Sequence, residues 1–257
     1  MDLGFRTPLL DLFRHGNVDH SIRLLAARGG LAVRAHEQVA LLVHLSADED
    51  PDVAGAAEET IAGIPRDTLA GFIGRSDVPE ELQSFFLARG IQPVSGATDD
   101  ALPLVDTDPE PAEPAEPDEK RDEASAVQKI SAMNVAQRLG LAMKGSREER
   151  AILIRDPNKI VAVAVLSSPK LSETEVEGIA RMANVSDEIL RIIASTRAWV
   201  KNYRVVVALT KNPKTPVAVS MNLLSRLNER DLRMLTTDRN VPDVLRLTAR
   251  KKIVIDK

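Results

Sequence analysis

The apolar positions in the C-terminal half of the chain fall in short blocks, and the blocks recur. "RDPNKIVAVAVLSS" begins at Arg155, and "KNPKTPVAVSMNLL" begins at Lys211, 56 residues later. At that shift Pro157 meets Pro213, and Val161, Ala162 and Val163 meet Val217, Ala218 and Val219. Leu171, Glu173, Val176 and Ile179 meet Leu227, Glu229, Leu232 and Leu235, and "NVSD" at Asn184 meets "NVPD" at Asn240. A period of 28 is nested inside, with Ala151, Ile179, Val207 and Leu235 in one phase. A degenerate copy lies further upstream, where Pro51, Ala54, Leu69, Gly71, Val78 and Leu82 stand 106 or 107 positions before Pro157, Val161, Val176, Gly178, Val185 and Ile189. Fixed periods of this size mark arrays of one supersecondary unit.

Taken alone, "KIVAVAVL" and "YRVVVALT" are β-branched enough for strands. Their counterparts decide for helix: the upstream copy reads "DVAGAAEETIAG", and the partner of "YRVVVALT" is "REERAILI". Ser146 and Ser172 each have Glu three residues on, the spacing of a capping box, and Pro157 and Pro213 suit a helical first turn. Two helices of roughly ten residues and two tight turns fill one repeat. Such a pair cannot bury its apolar face alone, and stacking in series makes a continuous core. The pattern therefore predicts an all-α fold, an α-solenoid of stacked helical hairpins of the HEAT kind. Ala162 and Ala218 are expected at helix–helix contacts that admit only a small side chain.

Charge divides the chain differently from the repeats. Residues 1–98 carry 8 basic and 14 acidic side chains, residues 99–125 carry 2 and 11, and residues 126–257 carry 24 and 13. The middle stretch is rich in proline and acid with almost nothing to bury, a composition that does not offset its own ordering entropy. The expected organisation is a helical-repeat domain over residues 1–97, a disordered acidic linker over 98–125 and a basic repeat domain over 126–257. The chain has no cysteine, which excludes disulfides, thiolate zinc sites and a cysteine nucleophile. Aromatics are 3% of residues, so the core is built from Ala, Val, Leu and Ile. No apolar run approaches the roughly 20 residues that span a bilayer, and the N-terminus does not read as a secretory signal, so a cytoplasmic protein without membrane insertion is expected.

Through "DPN.IV..AVL" at Asp156, "NP.TPV" at Asn212 and "NV.D.IL" at Asn184, the sequence resembles bacterial leucine-rich-repeat-variant and HEAT-like α-solenoid proteins. The resemblance covers residues 128 to 252 well and 30 to 90 loosely. It implies a curved helical array that binds partners. Variants of this class with an N-terminal iron–sulfur cluster use cysteine, which this chain lacks, so no cofactor is implied.

Candidate chemistry is sparse. His15, His20, His36 and His44 lack the i, i+4 spacing at which two imidazoles share a metal, and read as surface or capping groups. "MNVAQRLGLAMKGSREER" from Met133 has a helix-turn-helix flavour but overlaps the repeat, so an opening helix of the array is the simpler reading. Trp199 and Tyr203 flank a helix junction and are expected to pack there rather than stack on bases. Positive charge recurs near equivalent turns at Arg155, Lys159, Lys201, Arg204, Lys211 and Lys214, which stacking would align as a basic stripe. The function expected is a non-enzymatic adaptor binding another protein or peptide. The alternative is a nucleic-acid-binding repeat protein whose acidic linker competes for the same stripe.

Overall fold

The blocks fold as helices. The computed structural model describes residues 7–15, 18–31, 34–94, 103–105 and 123–255. Among the described residues there are seventeen α-helices, one 3-10 turn and no strand. None of these helices is long and apolar enough to cross a membrane. Most of the expected linker, residues 98–102 and 106–122, lies outside the described residues; Pro103, Leu104 and Val105 are described and half-buried, and residues 123–125 are already helical, so the expected linker is corrected at that end. By packing, the chain divides into two units, Met1–Arg150 with Asn158–Lys170, and Ala151–Pro157 with Leu171–Lys257. This division follows contacts between helices, whereas the division at residues 98–125 follows charge.

The first unit holds α1 (Pro8–His15), α2 (His20–Ala27), α3 (Ala35–Leu45), α4 (Pro51–Gly63), α5 (Arg66–Ile73), α6 (Glu80–Leu87), α7 (Glu123–Ser131), α8 (Val135–Lys144) and α10 (Lys159–Leu166). The boundary between the units passes within α9 (Arg147–Leu153). Helix α3 is the centre of this unit. Its sequence, "AHEQVALLVHL", is apolar almost all round, and it packs on α1, α2 and α4. Helix α10 is buried from Ile160 to Leu166 between α1 and α8.

The second unit holds α11 (Glu173–Arg181), α12 (Asp187–Ser195), α13 (Arg197–Val200), α14 (Tyr203–Lys211), α15 (Val217–Leu223), a 3-10 turn (Leu224–Arg226), α16 (Glu229–Thr237) and α17 (Asp243–Ile255). Here α11 packs on α14, α15 on α17 and α16 on α17.

Helix boundaries obey the repeat. Helices α11 and α12 begin 56 residues before α16 and α17, and α5 and α6 begin 107 residues before α11 and α12. The register extends to side chains: Leu69, Val176 and Leu232 are buried at one equivalent position, and Phe72, Ile179 and Leu235 one turn on. Val78, Val185 and Val241 are buried in the turn, and Leu82, Ile189 and Leu245 in the second helix. Two capping boxes form as the spacing predicts. Glu149 N donates to Ser146 Oγ at 3.3 Å while Ser146 N donates to Glu149 Oε2 at 2.7 Å, and Ser172 and Glu175 make the same exchange.

Two expectations are corrected. Pro157 and Pro213 lie in the turns before the N-caps Asn158 and Pro216, not inside a first turn. Ala162 is buried as expected, at 4% exposure, but Ala218 is exposed. The two helices have different surroundings: α10 has α1 and α8 against it, whereas α15 buries only Ser220 and Leu223. Ala162→Leu should therefore lower stability by roughly 1–3 kcal/mol through overpacking, while Ala218→Leu should stay within about 0.5 kcal/mol of the parent. Chemical denaturation of both variants checks the difference.

Helix α3 also carries a buried acid. Glu37 is 2% exposed, and its Oε1 has no hydrogen-bond partner. Burial raises its pKa above the ordinary 4.5; the Thr7 hydroxyl, the charges of His36 and Arg34 and the nearby Ser167 hydroxyl pull less strongly the other way. Ser167 faces the carboxyl without a hydrogen bond of ordinary geometry, since its Oγ is also buried and unpaired. The folded chain thus holds a proton that the unfolded chain releases. Stability contributed by this group is complete below pH 4.5 and declines as pH rises toward the raised value. Glu37→Gln should flatten that decline, measured as melting temperature against pH, without lowering the melting temperature above neutral pH.

Candidate functional site

Within the second unit, the turns that join successive helix pairs leave a cleft of about 480 Å³. Its lining is Arg181 and Ala183 at the end of α11, Val207, Ala208 and Lys211 on α14, Asn212 and Pro213 in the next turn, and Asn240 before α17.

Asn212 builds this corner. It is 5% exposed, and its Nδ2 donates to Ala180 O at 2.8 Å and Met182 O at 2.9 Å, satisfying carbonyls where α11 ends. Its Oδ1 accepts from Lys214 N at 2.9 Å, which turns the chain toward α15. One amide thereby ties two neighbouring helix pairs and shapes the turn. The exit of α14 is "KNPKTP", where a proline just past the last helical residue keeps the helix from continuing.

The cations of the cleft are both held by carboxylates. Arg181 pairs with Glu177 one turn earlier on α11. Lys211 Nζ lies 3.7 Å from Asp231 Oδ1 on α16. Asp231 also accepts from the Tyr203 hydroxyl at 2.5 Å, and that hydroxyl accepts from Asn228 N at 3.1 Å, so the start of α14 is tied to the start of α16. Burial, followed by the adjacent carboxylate, raises the Tyr203 pKa above the ordinary 10.0. Tyr203 is thus tied across the junction by its hydroxyl, while its side chain stays exposed instead of packing as expected.

Of the six expected basic residues, Lys211 lines the cleft and Lys214 stands exposed in the turn beside it. Lys201 and Arg204 are exposed at the other end of α14, seven and more residues away, or about 10 Å along the helix. Arg155, exposed in the turn after α9, turns its Nε onto Ala151 O of that helix at 3.0 Å, and Lys159 opens α10 in the first unit. Arg181 escaped the sequence reading because its repeat counterpart is Thr237, so no recurring charge marks it. Asn212 and Asn240 were visible as parts of "NPKTPV" and "NVPD", but a sequence pattern does not tell a capping asparagine from a lining one.

Of the histidines expected at the surface or at caps, the His15 side chain lies outside the described residues, His20 is exposed, and His36 and His44 are half-buried. His20 Nδ1 lies 2.7 Å from Asp50 Oδ2, the residue that caps α4. His44 is partly buried, which lowers its pKa. Among the described residues no group of three or more His, Asp or Glu side chains is arranged to hold a metal.

Comparison with family models, with curated proteins and with solved structures finds no match for this chain.

The corner amide makes a stability prediction. Asn212→Ala should cost about 1–3 kcal/mol, because two buried carbonyls lose their donors. Asn212→Asp should cost at least as much, since a carboxylate would face those oxygens. Urea denaturation followed by circular dichroism reads both.

Proposed function

We propose that the chain is a non-catalytic scaffold whose second unit is a short α-solenoid that binds another protein, with the cleft as its docking point. The stacking of α11 on α14 and of α15 on α17 supports the solenoid reading, as does the shared register of buried positions. The observation that carries the binding reading is the chemistry of the lining. Ala183, Val207, Ala208 and Pro213 give an apolar floor, Asn212 and Asn240 border it, and Arg181 and Lys211 stand at its rim with carboxylates already beside them. An apolar centre with a polar rim and an arginine is the anatomy of a protein interface. A phosphate-tracking surface draws its affinity from cations that displace counterions, and the two cations here are already neutralised. The favoured partner is a protein segment presenting an apolar side chain flanked by neutral hydrogen-bond acceptors, which paired Arg181 and Lys211 can still donate to.

The test compares the full-length chain with the double variant Arg181→Ala, Lys211→Ala as bait, with nuclease-treated and untreated extract, followed by binding titrations on the recovered partner. The proposal expects a protein partner whose capture resists nuclease. It also expects affinity to fall about 10-fold or more in the double variant, the equivalent of roughly 1.4 kcal/mol. Capture that disappears with nuclease, or duplex DNA bound with a steep salt dependence, would overturn it in favour of nucleic acid. The full chain is the right bait because residues 123–150 and 158–170 belong to the first unit, so a fragment starting near residue 126 would cut through a packed body.

A further inference from the structure

Within the acidic stretch, Leu104 and Val105 are held by one buried side chain. Gln38, on α3, is 1% exposed. Its Oε1 accepts from Leu104 N at 2.7 Å and from Val105 N at 2.9 Å. Its Nε2 donates to Val105 O at 2.9 Å and to Gly29 O at 3.1 Å. A carboxamide has two acceptor sites and two donors, so Gln38 is fully used, three of its four bonds going to the main chain of this segment. Gly29 completes the notch. Its φ of +81° favours glycine, and a Cβ built there would lie 3.2 Å from Val105 Cγ1 and 3.4 Å from Gln38 Nε2. A bare backbone is therefore what lets the valine side chain come close.

Peptides added to a sheet edge are read in a related way, but here Leu104 and Val105 form a bend, which brings two successive N–H groups to one oxygen. Main-chain bonds supply attachment, and one or two side-chain niches supply selectivity. The reader here is a side chain on a helix instead of a sheet edge. The niche fits a β-branched residue, preceded by an apolar residue and a proline whose fixed φ limits the conformations open to the segment.

We propose that the Gln38–Gly29 notch is a receptor for bent peptide segments of the Pro–Leu–Val kind, and that Pro103–Val105 is its resident ligand. Gln38 limits how the site can work. The low exposure of Gln38 is that of the filled notch, so if the segment left, water would have to replace the three bonds the segment makes. An incoming peptide that offers the same two N–H groups and one carbonyl removes that cost. The site works by exchange, and a partner carrying this sequence chemistry competes with the chain's own segment. This inference concerns the first unit and stands independently of the cleft in the second.

The probe is a fluorescent synthetic peptide with the sequence ALPLVDTD, titrated by anisotropy into the full-length chain. The parent, whose notch is filled, should bind it weakly. Replacing Leu104 and Val105 by proline, which removes both N–H groups read by Gln38 Oε1, should tighten binding at least 10-fold, and adding Gln38→Leu to that variant should abolish the gain. The same peptide N-methylated at its second leucine, which removes the N–H read by Gln38 Oε1, should bind the strap variant at least 10-fold more weakly. If the replacement unfolds the chain, Val105→Ala, which only thins the contact with Gly29, takes its place with the same expected order. Equal binding by parent and strap variant, or no penalty for N-methylation, would show the segment to be a fixed structural strap and overturn the proposal.

Discussion

A helix of eight or nine residues cannot shield its own apolar stripe, and most helices of this chain are of that length. Everything else depends on this shortage. Each helix pair must find its missing wall in a neighbour, so a few positions are held to apolar residues in every copy. Leu69, Val176 and Leu232 fill one of them, Leu82, Ile189 and Leu245 another, and Phe86, Ile193 and Ala249 a third. The size at the third position varies from phenylalanine to alanine, so the packing at that point is adjusted copy by copy while its apolar character is kept.

The polar groups that matter sit where this packing is interrupted. At the turn after α14, Asn212 closes the end of α11, and one helix pair beyond, Asp231 collects Tyr203 and Lys211. In the first unit Gln38 does comparable work for a segment outside any helix. In each case a side chain replaces hydrogen bonds that regular structure does not supply, and desolvation makes its removal costly. The cleft and the notch lie at two of these interruptions. The two surfaces proposed for recognition thus lie where helix packing is patched by side chains.

Helix content and the repeat phase were legible from the pattern of Val, Leu and Glu, because burial at period 28 constrains residue type directly. Capping boxes were legible because Ser–Glu spacing specifies its own geometry. Exposure was less so. Val217 and Ala218 mirror Val161 and Ala162 in sequence yet face outward, since burial depends on what packs against a helix and not on its own composition. The cleft was half legible: Lys211 belonged to a recurring basic pattern, but Arg181 reaches it only through the stacking of α11 on α14. The Gln38 notch left no trace, as its partners are main-chain atoms 66 and 67 residues away.

The single tryptophan and the single tyrosine both belong to the second unit, Trp199 in α13 and Tyr203 at the start of α14. Intrinsic emission is consequently blind to the first unit, whereas ellipticity sums over both. The two signals lose coincidence whenever the units melt at different denaturant concentrations, which makes the chain its own test of two-state behaviour. Because the tyrosine hydroxyl is bonded to a carboxylate on α16, its emission also carries information on whether that pair of helices is still in register.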